Sequence, residues 1–250
     1  MLCFFDENPK YQDHLLFIDG MDHSITYGDW YVHSKKVHQL IENKPKQLAA
    51  IICHNTIGSA LSYLCCLQNH IVPLLIDHDM DEELQQQLLM RYKPNYLFKP
   101  IDDTEEPIYT LYDYGLYHSN EINHHIHPDL ALLLTTSGST GSPKLVRQSY
   151  KNIQSNAASI AEYLKITELD HPISSLPMHY TFGLSVINSH VLQGACECLT
   201  ENTVFDKEFW NICKKESITS LAGVPFTFEC LKRIGTVSYT HLRAHETLAN

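Results

Sequence analysis

The chain has 250 residues, ample for a buried core, and 44% hydrophobic against 19% charged residues is a globular composition rather than a disordered one. Acidic residues outnumber basic ones 29 to 18, a net charge of −11, so nucleic acid would be repelled unless a local basic stripe offset the charge. No apolar run approaches the roughly 18 residues of a membrane span. The start, MLCFFDENPK, lacks a signal-peptide pattern, and eight irregularly spaced Cys make no disulfide framework. These features predict a cytoplasmic protein with reduced thiols, no nucleic-acid partner and no membrane span.

In chain order, Asp29 to Glu42 has the period of an amphipathic helix, with Trp30, Val37, Leu40 and Ile41 on one side. Leu48 to Cys53 is a short apolar run, the mark of a buried strand. A helix is predicted over Ile57 to Leu67, and Ile71 to Ile76 reads as another strand. Asp79 is the candidate N-cap of a helix through Arg91, ended by Pro94. Tyr96 to Lys99 reads as a short strand. Residues 100–129 are less regular, with a hairpin expected around Tyr109 to Tyr112. His124, His125, His127 and Asp129 lie there in a loose H-H-x-H spacing, and no metal-ligand set is assigned from it.

Leu130 to Thr135 is a clear apolar strand. After a Gly/Ser/Thr loop, a helix is predicted from Tyr150 to Leu164, capped by Ser149, with Ile153, Ala157, Ile160 and Leu164 as its apolar stripe. Helices over Gly183 to Leu192, Lys207 to Glu216 and Thr227 to Ile234, and a strand at Ser220 to Ala222, complete the pattern. Strand–helix alternation of this kind predicts an α/β fold with mostly parallel sheets flanked by helices.

The loop after Thr135 carries the chemistry. In TTSGSTGSPK, Gly138 and Gly141 permit positive φ and a close approach of backbone to a ligand. Thr136, Ser137, Ser139 and Thr140 supply hydroxyls, a turning backbone can present successive N–H groups to phosphate oxygens, and Lys144 adds a cation. From Leu130 to Ala161 there is no Asp or Glu, where average usage would place about four. The same stretch holds Lys144, Arg147 and Lys151, which suits an anionic ligand. A Walker A motif does not fit, nor does G-x-G-x-x-G. A polar surface loop without a ligand is the other reading of composition alone.

The string itself resembles the phosphate-loop signature T-S-G-[ST]-T-G-x-P-K of the AMP-forming adenylating enzymes, the acyl-CoA synthetases, carrier-protein adenylation domains and luciferases. Every position matches from Thr136 to Lys144, and Leu145 replaces the usual Gly. The resemblance extends over most of residues 12–235. Ile25 to Asp29 resembles the family's T-Y-x-[ED]-L helix start, and Ser59 to Asp77 its helix followed by a V-P-L strand. Ser175 to Ala195 resembles the L-P-L-x-H-x-x-G segment, and Ser217 to Leu231 the V-T-x-x-x-G-V-P segment. Aligned on Pro177 and Gly183, the family's His position is Tyr180 here, and His179 sits one residue earlier.

The resemblance implies the large N-terminal domain of adenylate-forming enzymes. It also implies a reaction in which a small-molecule carboxylic acid attacks the α-phosphate of ATP, with Mg2+, and passes as an acyl group to coenzyme A or a carrier protein's phosphopantetheine. Thr136, Ser137, Gly138, Ser139, Thr140, Gly141 and Lys144 would then grip the phosphates, with Lys144 and Thr140 catalytic. His179, Tyr180 and Gly183 would lie toward the substrate, and either His179 or Tyr180 would face its carboxylate. The family's Tyr-Gly-x-Thr-Glu motif, ribose Asp and late Lys do not occur in these 250 residues. Residues 1–235 are therefore read as part of the AMP-binding domain, inactive alone. Thr236 to Asn250 resembles a translated sequencing-adapter tail, expected to be foreign to the fold; a genuine short amphipathic helix after Thr240 is the other reading. A noncatalytic phosphate-binding module and an amino-acid adenylation domain are the alternative functions.

Overall fold

Leu48–Cys53, Val72–Asp77 and Leu130–Thr135 are buried along almost their whole length, which a strand achieves only when both sheet faces are covered. The computed structural model describes residues 2–41, 46–135, 144–234 and 243–246. A hairpin of β1 (Leu15–Ile18) and β2 (Ser24–Thr26) leads into α1 (Tyr27–Ile41). Then come β3 (Leu48–Cys53), α2 (Ile57–Gln68), β4 (Val72–Asp77), α3 (Glu82–Tyr92) and β5 (Tyr96–Pro100). A second hairpin, β6 (Tyr109–Leu111) and β7 (Tyr114–His118), precedes β8 (Leu130–Thr135), β9 (Leu145–Ser149) and α4 (Tyr150–Leu164). The remainder is β10 (Pro172–Ile173), α5 (Thr181–Gln193), β11 (Glu197–Cys198), α6 (Lys207–Lys215), β12 (Ser220–Gly223), α7 (Pro225–Ile234) and β13 (Arg243–Glu246).

Two sheets result. The larger runs β6-β7-β5-β3-β4-β8-β9; its four central strands are parallel, and antiparallel partners close both edges. The smaller runs β13-β12-β10-β11-β1-β2 and is parallel except for β2. This is the α/β architecture expected from the alternation. Helix α2 is apolar all round, and every residue from Ile57 to Leu67 is buried, as befits a helix packed on all sides. Its neighbours include α1 and strands β3 to β7. On α4, the Ser149 hydroxyl accepts from the Asn152 N–H while the Asn152 side chain accepts from the Ser149 N–H, so the expected cap is a reciprocal capping box.

Five local readings are corrected. Leu40 is exposed, because the buried stripe of α1 runs through Trp30, Ser34, Val37 and Ile41 and Leu40 lies about 100° away from Ile41. The cap of α3 is Asp81, whose carboxylate accepts from the N–H groups of Glu83 and Leu84; Asp79 instead donates its N–H to Asp77 in the preceding turn. On α4, Ile153 and Ala157 are buried, but Ile160 and Leu164 are only half-buried, because they line a groove against α5. Strand β9 was not anticipated: LVRQS lacks an apolar run, yet at a sheet edge it needs only the single ladder that β8 provides. In the tail, residues 243–246 pair in parallel with β12 rather than forming a helix. Leu242 and Leu248, whose burial would decide whether the tail belongs to the domain, lie outside the described residues.

Candidate functional site

In open α/β sheets ligands collect beyond the carboxyl ends of the strands. Strands β3 and β4 keep unbroken register from Leu48 opposite Val72 to Cys53 opposite Asp77, so they end side by side. Leu74 and Leu75 register with Leu133 and Leu134, which brings the end of β8 level with them. Strand β8 thus ends beside β4, next to the residues that follow it. Of the residues assigned to the phosphate loop, Thr136, Ser137, Gly138, Ser139, Thr140 and Gly141 lie outside the described residues. Lys144 is exposed just before β9.

A cavity of about 370 Å³ opens at these strand ends. His54 and Asn55 line it from β3, Asp77, His78 and Asp79 from β4, His179 and Tyr180 from the segment before α5, and Glu201 from the turn after β11. Asn55 fastens that segment to the larger sheet: its Nδ2 donates to the Leu176 carbonyl at 3.2 Å and its Oδ1 accepts from the Met178 N–H at 3.1 Å. The Ser59 hydroxyl adds a 3.2 Å contact to the Met178 sulfur.

The two candidates for the substrate carboxylate separate. His179 is 4% exposed, with Nε2 3.4 Å from Asp77 Oδ2, within ion-pair reach but off the line of a hydrogen bond. Burial pushes its imidazole below the usual value, and the Asp77 carboxylate opposes that shift. Tyr180 is 45% exposed, occupies the N-cap position of α5 and tilts its ring over His179 at a centroid distance of 4.3 Å. Gly183 is buried in the first turn of α5. A Cβ there would stand 2.3 Å from the Pro177 carbonyl oxygen, so this glycine lets the helix start press against the segment carrying His179.

A larger groove, about 700 Å³, lies between α4 and α5 and is lined mainly by apolar groups such as Leu132, Leu134, Ile153, Ile160 and Leu184. No Asp, Glu, Lys, Arg or His lines it among the described residues. Ionisable chemistry therefore concentrates in the smaller cavity. Sequence reading missed His54, Asp77, His78, Asp79 and Glu201 as site residues. For His54, Asp77, His78 and Asp79 the signal available was their position just past predicted parallel strands; Glu201 follows no strand that the sequence predicts. All eight Cys are unbridged thiols, and burial raises those of Cys53, Cys65, Cys66 and Cys198 well above their ordinary value. Among the described residues no helix is long and apolar enough to cross a membrane.

Comparison with known proteins agrees with the fold. The AMP-binding enzyme family model matches residues 4–248. A 2-succinylbenzoate–CoA ligase of Staphylococcus epidermidis is 24% identical over 231 residues, 85% of this chain and 45% of the ligase. The chain thus spans about half the length of that relative. The solved O-succinylbenzoate coenzyme A synthetase of Bacillus subtilis in complex with AMP superposes with a TM-score of 0.74 at 19% identity, over 95% of this chain and 65% of that one. The same synthetase in complex with ATP and magnesium ion gives 0.71 at 18% identity, over 96% and 68%. At these identities the structural likeness is one of fold.

Proposed function

Because the chain belongs to the AMP-binding enzyme family, we propose that it supplies the phosphate-gripping part of an ATP-dependent ligase that activates a carboxylic acid as its acyl-adenylate and passes the acyl group to the thiol of coenzyme A. The observation that carries this reading is the run TSGSTGSPK, set between the end of β8 and the start of β9 in a stretch without an acidic residue. The similarity to a CoA ligase favours coenzyme A over a carrier protein as acceptor.

Adenylate formation brings a carboxylate against a polyphosphate, so charge neutralisation and positioning dominate the barrier. Backbone N–H groups and hydroxyls of residues 136–141 hold the β- and γ-phosphates in this reading, and Lys144 offsets charge on the departing pyrophosphate. Each such bond to a charged group contributes roughly 1.5–3 kcal/mol. Lys144, Arg147 and Lys151 suit a polyphosphate, but the same stretch offers no carboxylate to a cation. Mg2+, which would neutralise phosphate charge when bound, would find hydroxyl oxygens of Ser and Thr there as its protein ligands. Neutral His179 beside Asp77, with Tyr180 over it, gives the substrate carboxylate a polar wall. ATP–pyrophosphate exchange, on the protein its complete gene encodes and across a panel of acids that includes 2-succinylbenzoate, tests the reading. Exchange driven by one acid is expected; no exchange with any acid, alongside intact ATP binding, would turn the reading toward a phosphate-binding module.

A further inference from the structure

The cavity at the strand ends holds a second constellation that the phosphate chemistry does not use. One ring nitrogen of His54, one of His78 and a carboxylate oxygen of Glu201 all lie within 4.8 Å of one another. Asp77 and Asp79 approach His78 within the same limit. These groups come from three places in the chain, the ends of β3 and β4 and the turn after β11, which the two sheets bring together.

The donor atoms gathered here suit a cation. His78 Nδ1 lies 2.9 Å from the Cys53 carbonyl oxygen. A carbonyl can only accept, so Nδ1 is the donor there and Nε2 is the ring nitrogen left for another partner. Nε2 lies 3.3 Å from Asp79 Oδ1. A second ring approaches from the other side: His54 stacks on His78 with centroids 3.9 Å apart and planes at 27°. His54 Nδ1 lies 2.7 Å from Glu201 Oε1, so the third group is already gathered. With Asp77 and Asp79 beside them, the rings sit among three carboxylates.

We propose that His54, His78 and Glu201 bind one divalent transition-metal ion of the Zn2+ class. Two imidazoles and a carboxylate suit Zn2+ better than Mg2+ or Ca2+, which prefer oxygen donors. The Cys53 carbonyl acts as the outer partner that fixes the tautomer and aim of His78, the arrangement common behind metal-bound imidazole. Glu201 follows a strand of the smaller sheet, whereas His54 and His78 end strands of the larger one, so the ion clips the two sheets together at the cavity mouth. The exposed H-H-x-H run is a separate place in the fold. This inference does not depend on the ligase reading.

The test is Zn2+ titration of the purified chain against a chromophoric chelator, with Mg2+ as the comparison ion. One equivalent of Zn2+ per chain is expected, with a rise in Tm that Mg2+ does not give. His54→Gln and Glu201→Gln should each weaken Zn2+ binding at least tenfold. The triple variant His124→Gln, His125→Gln, His127→Gln should keep wild-type affinity. His78→Gln should abolish the site; if that variant does not fold, Glu201→Gln carries the test, since its side chain is half exposed. Unchanged affinity in His54→Gln and Glu201→Gln, loss of the ion with the triple variant, or an equal Tm rise with Mg2+ would each overturn the proposal.

Discussion

Glu197 is 1% exposed on β11, and its Oε2 has no hydrogen-bond partner. Burial raises its carboxyl to about 8. The folded state therefore keeps a proton that the unfolded chain loses above its ordinary value of 4.5. More protons bound in the folded state mean that stability falls as pH rises from about 4.5 to about 8. Glu197→Gln should remove that slope. We expect the variant to gain on the order of a few kcal/mol over wild type at pH 8 and little at pH 5, by urea unfolding; parallel pH profiles would contradict the assignment. Lys144→Ala and Thr140→Ala act on function instead. Each should slow ATP–pyrophosphate exchange by about 10²–10³ while sparing thiol transfer. Unchanged exchange in both would remove the loop from the mechanism.

At the scale of elements, two signals compete in the first turn of α5. Ala is the better helix former by about 1 kcal/mol, so propensity alone favours Gly183→Ala. The added Cβ, however, would meet the carbonyl oxygens of Pro177 and Leu176 at 2.3 and 2.8 Å. Backbone cannot rotate away as a side chain does, and overpacking of this kind costs typically 1–3 kcal/mol. The steric effect wins, so Gly183→Ala should lower Tm and displace the Pro177–Tyr180 segment, read as a changed environment for Tyr180. A variant more stable than wild type would show that the helix start can shift freely. Asn55, which holds the same segment by two hydrogen bonds, ties this helix to the larger sheet.

For the whole molecule, the two sheets share one cavity but the family's later motifs are not within residues 1–250. The 250-residue chain by itself should therefore form no acyl-adenylate above background; pyrophosphate release dependent on acid and ATP would refute that. The tail is tested in the same preparation. Strand β13 adds backbone pairing to β12 at the edge of the smaller sheet. If residues 236–250 are foreign to the domain, as their resemblance suggests, their deletion should leave Tm unchanged; a fall of several degrees would make β13 part of the fold.

Much of this was legible in the linear chain. Leu48–Cys53, Leu130–Thr135 and Tyr150–Leu164 have the bounds that apolar runs and a Ser cap predict, because burial on both faces and helix capping are local requirements. The string TSGSTGSPK was legible for the same reason: it is one contiguous run of the sequence. Other features depend on partners distant in sequence. Strand β9 exists because β8 offers it a ladder, and Leu40 is exposed because its helix presents a different stripe to the core. His54, His78 and Glu201 are unremarkable apart in sequence. Only the register of β3 with β4, and the packing of one sheet's strand ends against the turn after β11, set two imidazoles and a carboxylate around one point. Side-chain chemistry was written in the sequence, but its convergence was decided by pairing across the fold.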